Sequence, residues 1–435
     1  MESLRKASAY FRGQSRTPTP ILELPKSVER AYVLAKDAGH RGPVLGGYLT
    51  EGFDDELVAS TVTPSGLTVV SSDSGKVLSQ LRPEEGDAFT TSSLVKLRMA
   101  DHEDERLCGM VIGTQSGSII LVEISSAVRT IATCKANTVA ITALAVVDPS
   151  IIVAGTESGQ VLVYDPIHHP ETPSVALSVF EPNESIRAVT AITSVTSGSE
   201  THVWAAFDQH GIVLLRLITD PAGVSTLERI QDGLITVEGM QSVTDFAVSS
   251  AHNVMICLSS CNDVFLIDLT THELVQRYPA SLMTCGSALS TLGATEVPTS
   301  PGSTFLFLAG IDGSLSIREL SRREKDKKLQ CMLHRCIDRL APLDKTVPAE
   351  YPDTIGGCPV TSVSISDSKD VCVVGDASCS LYVVPLQLRS LSRASSVTTS
   401  EPDENADSLT EPRRSIDEFE QDPEQDKAEK NIESV

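Results

Sequence analysis

The sequence predicts an all-β chain: a seven-bladed β-propeller of four-stranded antiparallel blades, with a disordered N-terminal extension and a disordered C-terminal tail. Three observations predict it. One phrase recurs seven times, an apolar run, a short polar turn and a second apolar run, clearest in Ile151–Asp165. The turns centre on Gly75, Gly117, Gly159, Gly211, Asn262, Gly313 and Cys379, so successive copies lie 42 to 66 residues apart. A period of roughly 40–50 residues with strands on both sides of each turn marks a propeller. The third observation lies upstream of the turns. Ile141-Thr142, Val189-Thr190, Val243-Thr244 and Val360-Thr361 each open a strand 18 to 22 residues before a turn centre, and Val58 lies 17 before Gly75.

Taken in order, residues 1–29 are polar, and Thr17-Pro18-Thr19-Pro20 favours extended chain over helix. Two strand-like stretches follow, Ala31–Ala35 and Pro43–Thr50. Within the propeller, expected over residues 30–388, each first strand opens on a β-branched residue that suits a pleated sheet. Second strands such as Val203–Phe207 and Thr304–Leu308 are almost wholly apolar, as burial on both faces requires. Third strands are expected at Val77–Leu81, Ile119–Ile124, Val161–Tyr164, Val213–Leu217, Val264–Leu269, Leu315–Leu320 and Leu381–Val384. The turn between second and third strands needs a residue with positive φ, which Gly adopts without steric cost and Asn tolerates. The seventh turn, Ser378-Cys379, departs from that rule. An insertion is expected over residues 321–357, made basic by Arg322, Arg323, Lys325, Lys327 and Lys328. The tail, 389–435, carries 13 acidic and 4 basic residues from Glu401 onward and too few apolar residues to offset chain entropy.

Composition narrows the function. The net charge is −23, which opposes a main role in gripping phosphate backbones or anionic membranes. The ten Cys lie partly inside strand patterns, as Cys257 and Cys372 do, and are expected to be thiols in a reducing compartment. The first twenty residues lack an apolar core and no run of eighteen apolar residues occurs, so neither a secretory signal nor a membrane span is expected. The expected location is cytoplasmic, with the nucleus also open.

No catalytic, cofactor or metal set is expected. A Gly-rich phosphate loop, a Gly-x-Ser-x-Gly elbow and a His-Glu-x-x-His helix are all absent from the sequence. Ser71-x-Asp73-x-Gly75 has the letters of a sialidase Asp-box, but Leu78 stands where its Trp belongs, and turn chemistry explains the residues. Cys331, His334, Cys336 and Cys358 do not have the paired spacing of a zinc site.

The repeat resembles the WD-repeat family of seven-bladed propellers over about 340 residues. Tyr164-Asp165 and Ile267-Asp268 keep only the Asp of the family's Trp-Asp ending, and Gly-His openings are missing. The resemblance implies that a segment before the first repeat closes the ring by supplying the outer strand of the last blade. Either Ala31–Ala35 or Pro43–Thr50 would pair with Leu381–Val384, and Pro43–Thr50 is preferred for its β-branched ending. It also implies that the hairpin turns project from one partner-binding face, where Asp73, Glu157, Asp208, Asp263, Asp312 and Asp376 would make a negative rim for basic peptides.

The expected function is a non-enzymatic protein-interaction scaffold or adaptor subunit, monomeric within a larger complex and able to hold several proteins at once. Thr17, Thr19, Ser395 and Ser415 sit in kinase-like contexts and are candidate phosphosites on the termini. The alternative is a nucleic-acid-associated subunit of a ribonucleoprotein or chromatin particle, using basic residues 322–328; the overall charge disfavours it.

Overall fold

The computed structural model describes residues 32–36, 42–51, 57–71, 76–99, 102–124, 127–135, 138–148, 151–166, 175–178, 187–220, 224–283, 288–297, 301–323, 328–337, 358–366, 371–386 and 388. The chain divides into compact units Met1–Ser392 and Arg393–Val435, and every described residue lies in the first.

Seven four-stranded antiparallel sheets follow one another. Strand β1 (Tyr32–Lys36) precedes the first. Blade 1 holds β2 (Gly46–Glu51), β3 (Leu57–Thr63), β4 (Gly66–Ser71) and β5 (Val77–Leu81). Blade 2 holds β6 (Phe89–Met99), β7 (His102–Thr114), β8 (Ser118–Ile124) and β9 (Val128–Lys135). Blade 3 holds β10 (Ile141–Asp148), β11 (Ile151–Thr156), β12 (Gln160–Tyr164) and β13 (Val175–Ser178). Blade 4 holds β14 (Val189–Ser197), β15 (Glu200–Phe207), β16 (Gly211–Thr219) and β17 (Ser225–Ile235). Blade 5 holds β18 (Val243–Ser249), β19 (Val254–Ser259), β20 (Val264–Asp268) and β21 (Leu274–Tyr278), and a short helix α1 (Ala280–Met283) follows. Blade 6 holds β22 (Leu289–Glu296), β23 (Ser303–Gly310), β24 (Leu315–Arg322) and β25 (Leu329–Ile337). Blade 7 is β26 (Val360–Ile365), β27 (Val371–Asp376), β28 (Ser380–Pro385) and, last, β1.

The first strands form the inner ring. Each packs against the first strand of the next blade, and β26 meets β2 to close the circle. The β-branched-residue-Thr openings explain themselves here. In two of the four the hydroxyl crosses to the next blade, Thr190 Oγ1 donating to the Val243 carbonyl at 2.6 Å and Thr361 to Val44 at 2.7 Å, whereas Thr142 and Thr244 donate within their own blade, to Gly155 at 3.3 Å and Leu258 at 3.2 Å; Thr90, after Phe89, makes the same crossing to Ile141 at 2.5 Å. The β-branched residue fills a hole left by a glycine in the preceding blade. A Cβ on Gly155 would lie 2.4 Å from Val189 Cγ1, and one on Gly375 would lie 2.3 Å from Val44 Cγ1. Apolar clusters fill the spaces between consecutive sheets, so β19, β23 and β27 are buried along their whole length.

Four expectations need correction. Blade 1 is out of phase with the reading above. Its second strand turns into its third at Pro64-Ser65, so Val58 lies in the second strand and Val77–Leu81 is the outer strand. The missed signal is a repeated phrase: Thr63-Pro64-Ser65-Gly66 matches Thr114–Gly117 and Thr156–Gly159. In all three the Thr hydroxyl meets the Ser hydroxyl, at 3.2, 3.1 and 3.1 Å. The turn letters around Gly75 fall between β4 and β5, and residues 72–75 lie outside those described.

The closing strand is the earlier stretch. β1 pairs with β28, Tyr32 opposite Val383 and Lys36 opposite Ser380, whereas the preferred Pro43–Thr50 becomes the innermost strand of blade 1. That stretch still helps close the ring, because the Val44 amide donates to the Asp376 carbonyl at 3.0 Å. The expected insertion begins later than residue 321. β24 runs to Arg322 and pairs with β25, and the Arg323 amide donates to the Lys328 carbonyl at 2.8 Å, so residues 322, 323 and 328 belong to blade 6; residues 324–327 and 338–357 lie outside those described. The seventh turn is of the same kind as the others, with Cys379 itself at φ +66°, close to Asn262 at +68°.

Candidate partner-binding face

Antiparallel strands put all turns between second and third strands at one end of the ring, together with the connectors into the first strands. Backbone bonds tie the turns of blades 2 to 7 to a connector. Gln115 N donates to Ala88 O at 2.8 Å, Glu157 to Ala140 at 3.0 Å, Asp208 to Ala188 at 3.0 Å, Ile311 to Ala288 at 2.9 Å and Ala377 to Pro359 at 2.8 Å. The tips are therefore held against the ring, a rigid base of the kind that positions binding loops.

The carboxylates expected on this rim divide into two kinds. Glu157 is exposed, and Asp208 and Asp312 are half-buried. Asp208 accepts a short hydrogen bond from Ser242 Oγ, whose own oxygen accepts from the Gln209 amide at 3.1 Å. Asp312 caps the Ser314 amide at 2.9 Å. Asp263 and Asp376 are buried. Asp263 accepts from Arg277 Nε at 2.7 Å, from Arg277 Nη2, and from the Ala280 amide at 2.8 Å. Asp376, only 2% exposed, accepts from the Ser378 and Ser380 amides at 2.9 Å, from Ser378 Oγ at 2.7 Å and from the Tyr382 hydroxyl at 3.0 Å. Burial, and next the Asp376 charge, push the Tyr382 hydroxyl well above its ordinary range. These two carboxylates lock turns, and Asp73 lies outside the described residues. We expect Asp376→Ala to cost about 1–3 kcal/mol, because it strands buried donors, whereas Glu157→Ala should stay within about 0.5 kcal/mol; urea unfolding of the two variants checks this.

Other features of this end escape a reading based on charge. An open cavity of about 500 Å³ is lined by Gln209, His210, Gly211, Thr236, Met240 and Gln241. Gly211, at φ +112°, brings the start of β16 so close to the end of β17 that a Cβ would lie 2.6 Å from the Ile235 carbonyl. Ile311 is 50% exposed at the tip of the blade 6 turn, and Leu282 in α1 is 41% exposed on the connector into the same blade. Aligning the turns would have flagged Ile311: the equivalent residues are Gln115, Glu157, Asp208, Ser260 and Ala377.

At the opposite end, Arg322, Arg323 and Lys328 are exposed on the β24–β25 hairpin, and Arg322 Nη2 reaches the His252 carbonyl at 3.4 Å. Lys325, Lys327 and the candidate phosphosites Thr17, Thr19, Ser395 and Ser415 lie outside the described residues. Among the described residues no group of three His, Cys, Asp or Glu side chains could hold a metal ion, and no helix is long and apolar enough to cross a membrane.

Solved structures share this arrangement of blades. A chain of the Mitotic Checkpoint Complex is 14% identical at a TM-score of 0.55, over 86% of this chain and 96% of that one. The WD40 repeats of RRP9 are 14% identical at 0.54, over 82% and 98%. The fold is the WD40 β-propeller. The WD40 propeller domain of Doa1 agrees, at 15% identity and a TM-score of 0.51, over 81% and 96%. No family model matches this chain, and no curated protein matches its sequence.

Proposed function

We propose that this WD40 propeller is a non-enzymatic interaction scaffold, an adaptor subunit that holds partner proteins on its turn end. The observation that carries the reading is the combination on that end of exposed Ile311 and Leu282, the cavity beside Gln209 and Met240, and solvent-facing Glu157. Apolar anchors set among polar and acidic groups fit a partner segment that presents an apolar side chain flanked by Lys or Arg. The Mitotic Checkpoint Complex supports the reading by analogy, since a propeller of this fold sits there within an assembly. Phosphate added at Thr17, Thr19, Ser395 or Ser415 would regulate such contacts through charge. The three exposed cations of the β24–β25 hairpin favour a second reading, nucleic-acid contact at the other end.

The test is affinity capture from native cells with the full chain and with a variant carrying Glu157→Lys, Ile311→Ser and Gln241→Arg. The scaffold reading expects a stable protein set that the variant binds about tenfold more weakly, at unchanged melting temperature. Recovery of RNA that dissociates at moderate salt and is lost in Arg322→Glu/Arg323→Glu would favour the second reading instead.

A further inference from the structure

The seam between blades 4 and 5 carries a pair of histidines that the scaffold role does not use. His202 lies in β15 of blade 4, and His272 lies in the turn between β20 and β21 of blade 5. Their ring centroids are 6.4 Å apart and the rings are nearly perpendicular. His272 also meets Trp204 edge-on at 5.6 Å. Trp204 is the only Trp in the chain, is 1% exposed, and belongs to the apolar cluster that joins these two blades. His272 is held in a left-handed conformation, φ +60°, with its amide donating to the Asp268 carbonyl at 2.9 Å. The turn thus fixes its ring against the seam.

We infer that His272, packed between His202 and Trp204, makes the blade 4–blade 5 seam an acid-responsive joint, closed when its ring is neutral and loosened when it carries a proton.

The charges around the pair are unequal. On the blade 4 side, Glu200 lies 3.6 Å from His202 Nε2 and Arg216 lies 3.9 Å from Glu200, so that side already carries an ion pair. On the blade 5 side, the Asp268 carboxylate acts on His272, and exposed Glu273 follows in sequence. The Asp268 charge is already engaged, since one oxygen accepts the Thr270 and Thr271 amides at 2.8 Å each. Burial holds His272 below its ordinary range, His202 adds to that, and Asp268 and the Leu269 backbone oppose it. A proton on His272 would therefore place a cation in a half-buried seam, edge-on to an indole that packs both blades.

The sign follows from linkage. Because the folded value lies below the ordinary one near 6.5, the unfolded chain binds more protons in that window. The stability that neutral His272 contributes is present above about pH 6.5 and is lost as pH falls from there through the folded value.

Trp204 reports the event directly. The full chain is titrated from pH 8 to pH 5 while indole emission and far-UV circular dichroism are followed together. The expected result is quenching and a red shift with a midpoint below 6.5, at constant circular dichroism. His272→Gln should abolish the transition, and His202→Gln, at a half-exposed position, should move its midpoint toward 6.5. Flat emission, an equal transition in His272→Gln, or an emission change that coincides with loss of circular dichroism would each overturn the joint.

Discussion

Deleting residues 1–41 should cost about 4 kcal/mol of stability and broaden the unfolding transition. β1 aligns four of its residues with β28, and a backbone ladder bond is worth roughly 1 kcal/mol net. The loss is larger in effect than in bonds, because β28 then becomes an exposed edge and the first and last blades are joined only by the inner ring. That ring contact survives in the truncated chain, since Thr361 Oγ1 still reaches Val44 O and Ser364 Oγ still reaches Gly47 O. A truncated protein that unfolds gradually, and regains a sharp transition when a peptide spanning residues 30–37 is added, is the expected outcome of a denaturant titration. Unchanged stability would mean that β1 does not close the ring.

Gly155→Val should be severely damaging where the second strand of blade 3 meets the inner ring, at about 3 kcal/mol. The new Cβ would lie 2.4, 2.6 and 3.1 Å from Val189 Cγ1, Cβ and Cγ2, all on a short β-branched side chain with little freedom to move. Both residues are locked in strands, β11 and β14, so relief requires blades 3 and 4 to part. Thermal unfolding of the single and double variants checks the argument. Adding Val189→Ala empties the space that the new valine needs, so the double variant should recover at least half of the loss. A strictly additive double variant would show that the clash is relieved elsewhere.

Much of the ring was legible because burial and repetition act on the same residues. The residues expected to open first strands, Ile141, Val189, Val243 and Val360, are the first residues of β10, β14, β18 and β26. They are legible because each is fully buried and each precedes a Thr whose hydroxyl donates to a second-strand carbonyl of its own blade. Outer strands were illegible for the opposite reason. β21 and β9 are largely exposed, so their residues are only loosely constrained. Blade 1 was misphased because two turn-like tetrapeptides, at 63–66 and 72–75, lie nine residues apart, and single-sequence patterning cannot say which one joins the second and third strands.

The candidate face was less legible than the fold. Asp residues in turns look alike in sequence, yet Asp263 and Asp376 turn inward to Arg277 and Tyr382 while Glu157 faces water. That difference depends on whether a partner waits on a neighbouring strand. Ile311 and Leu282 are 29 residues apart and come to the same end of blade 6 only through the connector into β22.

The most direct measurement is hydrogen–deuterium exchange of the full chain, alone and with a captured partner bound. The scaffold account expects new protection at 208–211, 236–241 and 311–313, with the outer strands unchanged. Protection confined to residues 322–328 or to the outer strands would place the contacts elsewhere and contradict it.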